Sequence, residues 1–177
     1  MSKRDDFSRS LFESSKRELA AARISKVDSD TQAHLRHALM MGFSYLEFQI
    51  FEICRHLETA DQLSVSERGV LLQREVRLRN GEFIVAPATK YWTLEDRLRV
   101  VQHRFAKTPL GKELWWPKLA VSANLRNDIA HPKEPVELTV ENVETALLSV
   151  LGCTDHFFNL VYGKGVPYAS HGLTPKT

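Results

Sequence analysis

The run Arg126-Asn127-Asp128-Ile129-Ala130-His131, closed by Pro132, places a permanent cation, an amide and a titratable imidazole within about two helical turns. Those groups can hold a phosphodiester and move protons around it without a metal. A guanidinium matches phosphate bidentately, and an imidazole exchanges a proton near neutral pH. On a helix, Asn124, Asn127 and His131 stand at i, i+3 and i+7, nearly one face, with Arg126 about 100° round from Asn127. Such a polar edge on a helix that otherwise carries leucines calls for a ligand or a partner, because each polar group buried without one costs on the order of 1–3 kcal/mol. A plain structural reading stands beside this one: Arg126 pairs with Asp128 or Glu47, and His131 caps a helix end where its charge suits the dipole.

Other candidates carry less chemistry. His34 and His37 share a helix face at i, i+3, but no neighbouring carboxylate or cysteine in the sequence completes a ligand set, so no metal is expected. Ser122 has no base at hydrolase spacing, and Gly163-Lys164-Gly165 lacks the strand and helix of a phosphate-binding loop. Trp92, Trp115 and Trp116 suit a bundle end or a subunit interface better than base stacking. Cys54 and Cys153, each inside an apolar helical pattern, read as buried free thiols.

The elements that must position the motif read as helices. Residues 7–26 form a polar helix with Leu11, Phe12, Ser15, Leu19 and Ala22 along one side, and its charge predicts a surface arm over residues 1–29. Leu35, Leu39, Phe43, Leu46, Ile50 and Leu57 define a long central helix over about 31–58. Ser64 with Glu67 caps a helix carried to Arg79 and stopped by Asn80-Gly81, and the stretch 82–92 is extended. Thr93 with Asp96 caps the next helix, with Leu94, Leu98, Val101 and Phe105 on one face. Thr108-Pro109 restarts the chain, Pro117 opens the motif helix, and Leu114, Leu119, Val121 and Leu125 are its packing residues. Pro132 ends that helix at Ala130 or His131. A last helix runs from Thr139 to Tyr162 and stops at Gly163. With no alternating strand set, the fold class is all-α: an antiparallel bundle of five to six helices over 30–163, then a flexible tail over 164–177.

Size and charge bound the rest. A chain of 177 residues with 43% hydrophobic content supports one domain with a real core. The longest apolar stretches are interrupted by Ser44, Glu47, Gln49 and Glu52, so no membrane span is expected. The mixed charges of residues 1–6 predict no secretory signal, and a cytoplasmic address follows. Net charge is only +2, yet residues 67–107 carry nine cations against five anions, leaving the remainder net acidic. Those cations form solvated helix faces or an RNA-backbone surface; Arg74, Arg77 and Lys133 are the candidate backbone contacts.

The stretch Leu125-Arg126-Asn127-Asp128-Ile129-Ala130-His131-Pro132 resembles the signature of the HEPN superfamily, an arginine followed by a polar residue and then a histidine, here with four residues between Arg126 and His131. The likeness extends over residues 30–162, with a long early helix through Phe43-Ser44-Tyr45-Leu46-Glu47 and the signature placed late. It implies a small helical bundle and metal-independent, cofactor-free cleavage of RNA by a homodimer whose two signatures meet across the two-fold. One motif offers a single proton-transfer group and the reaction needs two, so a dimer makes chemical sense. On that resemblance His131 is the general acid or base, Arg126 stabilises the phosphoryl charge and Asn127 orients either one. Glu47, Asn124 and Asp128 support them. A toxin or defence effector controlled by an antitoxin or other regulatory protein is implied as well. Lys133 stands where some HEPN toxins carry a tyrosine that a partner nucleotidyltransferase modifies, so that mode of control is not expected. The alternative is a non-catalytic HEPN-like module that binds RNA, a nucleotide or a protein through the same edge.

Overall fold

The periodicity that begins after Asp30 produces a 29-residue helix, α2 (Asp28–His56), around which the chain is built. The structure is a computed structural model and describes residues 3–106, 108–166 and 172–175. Leu35, Leu39, Phe43, Leu46, Ile50 and Ile53 of α2 are all at most 1% exposed, so its apolar stripe is the centre of the core.

Helix α1 (Lys3–Ile24) belongs to that core and is not an arm beside it. Phe12 and Leu19 are fully buried, and the α1–α2 contacts run antiparallel: Arg4 meets Glu52, Phe12 packs on Tyr45, the Ser15 hydroxyl donates to the Ala38 carbonyl, and Glu18 accepts from His34. Lys16 is also fully buried, its ammonium 3.2 Å from Glu13 and above the Phe12 ring. The high charge of α1 does not make it a surface arm, because Glu13 and Lys16 are buried and Arg4, Glu18 and Arg23 pair with residues of α2 and α6.

Ser64 caps α3 (Val65–Leu71) in a full capping box with Glu67, but this helix ends at Leu71, eight residues before the stop expected at Arg79. Gln73 takes φ +54°, and strand β1 (Arg74–Arg79) then turns through Asn80-Gly81 into β2 (Glu82–Thr89). Asn80 (φ +54°) and Gly81 (φ +83°) both occupy the left-handed region, as a two-residue hairpin turn of type I′ requires. The strands pair antiparallel, with Val76 opposite Val85 and Leu78 opposite Phe83. The fold is therefore predominantly helical with one two-stranded hairpin, and the all-α expectation is corrected at this point.

Thr93 and Asp96 form the capping box of α4 (Leu94–Phe105), and the Pro-started motif helix is α5 (Trp116–Ala130). Within α5, Leu119 is buried and Leu125 half-buried, whereas Val121 and, just before the helix, Leu114 are 69% and 94% exposed. Leu119 and Val121 lie two residues apart, roughly 200° around a helix, so they cannot share one packed face. The last helix, α6 (Val140–Tyr162), starts at Thr139 and ends at Gly163 in the left-handed conformation. It lies close on α2 at Gly42, where an added Cβ would collide with Leu147. The start of the expected tail is tied down: the Val166 N–H donates to Asp155 Oδ1 at 2.8 Å and Val166 is 5% exposed. Residues 167–171, 176 and 177 of that expected tail lie outside the described residues.

Candidate functional site

Helix α5 carries the motif because Pro117 starts it without needing an N–H partner and Pro132 forbids its continuation. His131 is the C-cap residue, its N–H bonded to the Asn127 carbonyl at 2.9 Å, with φ −132° and ψ 62°. Its ring is exposed beyond the last turn. Asn124, Asn127 and Asp128 are exposed along α5, whereas Arg126 turns inward toward α2.

There the guanidinium forms an ion pair with Glu47 through Nη2 and donates from Nη1 to Asn127 Oδ1 at 3.1 Å. It also stands over the Phe43 ring, 5.5 Å from the centroid. Of the two carboxylates the sequence offers Arg126, Glu47 and not Asp128 is the one it pairs with. Arg126, Asn127, Asn124 and Glu47 thus line one cleft of about 590 Å³ between α2, α4, α5 and the residues that flank the hairpin, Gln73 and Tyr91. His131 does not line that cleft; it stands about one turn further along, facing solvent. No side-chain hydrogen bond joins it to the Arg126 group among the described residues.

Two further lining residues, Arg97 and Tyr91, stand outside the motif, and Trp116 joins them at the cleft rather than at a bundle end. Arg97 is 6% exposed, lines the cleft, and its Nε has no hydrogen-bond partner; among the described residues no carboxylate pairs with it. Its position is visible in the sequence, since Leu94, Arg97 and Val101 step by three and four along the apolar face of α4. Tyr91 is 80% exposed at the rim, and Trp116 lines the cleft with Arg99 over its ring at 5.9 Å, while Trp115 packs inward on Phe157 as a bundle-end residue.

The charged segment behaves differently from a pair of helix faces. Arg74 and Arg77 stand on β1; Arg77 pairs with Glu75 at 2.6 Å, while Arg74 is exposed. Arg104 pairs with Glu67, whose carboxyl is held down to about 2 chiefly by that hydrogen bond, and Arg99 pairs with Glu95. Lys133 is exposed in the loop after α5.

His34 and His37 do meet a carboxylate, Glu18 of α1, at 2.7 and 3.5 Å, a contact between elements that sequence spacing could not show. Even so, no group of three potential metal ligands assembles among the described residues. Both thiols are buried and free, and burial pushes Cys54 up to about 12 and Cys153 well above its ordinary value. No helix of the described residues is long and apolar enough to cross a membrane.

These features define a predominantly helical domain with a polar cleft, lined by Arg97, Arg126, Glu47 and Glu95, along the motif helix. No protein-family model matches this chain, nor does any curated protein or solved structure.

Proposed function

We propose that the chain is a metal-independent endoribonuclease of the HEPN type, acting as a homodimer. The observation that carries the reading is the arrangement around Arg126: Glu47 and Phe43 fix the guanidinium from α2, Asn127 accepts from it, and one turn on the chain presents an exposed imidazole. A guanidinium held in place can stabilise phosphoryl charge with little reorganisation. An exposed imidazole can reach a ribose 2′-hydroxyl or a leaving 5′-oxygen, and RNA is the substrate because DNA lacks that nucleophile. A second copy supplies the second imidazole, and Val121, exposed on the outer side of the same helix, offers apolar surface for such a contact. A role as a toxin or defence effector restrained by a protein partner follows from the same resemblance.

The test is incubation of the purified chain with total RNA in EDTA. Products ending in a 2′,3′-cyclic phosphate and a 5′-hydroxyl are expected, with no activity in His131→Ala. Dependence on a divalent ion, or a protein that stays monomeric at micromolar concentration and still cuts, would overturn the composite-site reading. A second reading has one observation in its favour: His131 lies outside the cleft, so the polar edge could serve a non-catalytic module that binds RNA or a protein partner. Intact RNA at high enzyme, with binding retained, would select that reading.

A further inference from the structure

We infer that the cleft between α4 and α5 is a binding site for a nucleoside phosphate unit, with the buried Arg97 guanidinium as its anion anchor and Tyr91 and Trp116 as its stacking rim. Arg97 is the anomaly that points there. A buried guanidinium without a counter-charge is costly to a fold, and buried charges are ordinarily paired. Here Nε is enclosed with no acceptor, and the residue lines the cleft.

The surrounding charges leave it uncompensated. The cleft is lined by two carboxylates, Glu47 and Glu95, but Glu47 is engaged by Arg126 and Glu95 by Arg99 just outside it, so neither pairs with Arg97. The Cys54 thiol of α2, on which the Arg97 charge also acts, is raised to about 12 by burial and supplies no anion. An incoming phosphate would provide the missing acceptors, and a guanidinium can meet two of its oxygens at once. The ligand is more than a bare anion, because an exposed tyrosine and a half-buried tryptophan at the rim suit the face of a base, and the cleft volume lies in the range of small-ligand sites.

The site shares Arg126 and Asn127 with the cleavage reading and to that extent rests on it, but binding at Arg97 and proton transfer at His131, which lies outside the cleft, are tested separately. The full-length protein would be titrated in EDTA with AMP and, separately, with hexauridylate, following tryptophan fluorescence and thermal melting. Saturable binding is expected, with ligand raising the melting temperature. Arg97→Gln should weaken binding at least about tenfold, as loss of a charge-assisted hydrogen bond would. Without ligand it should melt no lower than the wild type, because the variant removes an unpaired buried charge. Tighter binding of AMP assigns a free nucleotide, and tighter binding of hexauridylate assigns a unit of an RNA chain. Should Arg97→Gln fail to fold, Arg97→Lys keeps the charge and removes the planar fork, and the same weakening is expected. Equal affinity in the folded variant, or no binding of either probe, overturns the inference. His131→Ala separates the two proposals: it should stop cleavage and leave both affinities unchanged.

Discussion

Glu47 of α2 grips Arg126 of α5 across the helix interface, so the motif's cation is oriented by a residue 79 positions away in the chain. Glu47 retains 45% side-chain exposure and Arg126 24%, which makes this a partly solvated pair whose value to stability is small, about 0–1 kcal/mol. Its consequence lies in where the guanidinium points. Truncation of either motif residue should therefore affect chemistry far more than folding.

His131→Ala and Arg126→Ala are each expected to lower RNA cleavage by about a hundredfold or more, the usual scale for a general acid-base or charge-stabilising group. Glu47→Gln should lower it less, because the amide can still accept from Arg126. Single-turnover cleavage rates with thermal melts alongside check this. A loss of activity that tracks a loss of folding would remove the catalytic assignment.

On the hairpin, Arg74→Glu should weaken RNA binding and reduce its salt dependence more than Arg77→Glu does, because Arg77 is already engaged by Glu75 and Arg74 is not. Filter binding at several salt concentrations measures both slopes. Equal affinity in both variants would return β1 to an ordinary solvated edge.

The Glu67 carboxyl, held at about 2 against its ordinary 4.5 by Arg104 and the Ser64 cap, contributes stability that is fully present above pH 4.5. That contribution disappears as pH falls through 4.5 toward 2, because the unfolded chain takes up the proton first. Glu67→Gln should thus melt below the wild type at pH 7, and the two should converge on acidification. Melting curves across that range decide the matter, and a pH-independent difference would argue against the linkage. Ser64→Ala, which removes the other half of the box, is expected to cost about 1 kcal/mol.

At the α2–α6 crossing, Gly42→Ala should destabilise by about 1–3 kcal/mol, since the added methyl would enter the space of Leu147. Urea denaturation measures it, and the double variant with Leu147→Ala should lose less than the sum of the two single losses, since each removes part of the other's cost.

Much of the helical frame was legible from local chemistry. Both capping boxes, the proline start of α5, its end before Pro132 and the glycine stop of α6 are where side chains and backbone restrictions within a few residues place them. The hairpin was legible too, in Asn80-Gly81 between β-branched and aromatic residues, but that dipeptide also ends helices, and the preceding capping box favoured a helix. By itself the sequence determined the identity and spacing of the Arg126–His131 edge, because these depend on one helix alone. Only tertiary structure decided that Glu47 rather than Asp128 takes Arg126, that α1 is core, and that Arg97 faces a cleft without a partner. Such facts depend on which faces of distant helices meet. That is settled by the summed burial of α1, α2, α4, α5 and α6 against one another, a quantity that no local stretch of chain contains.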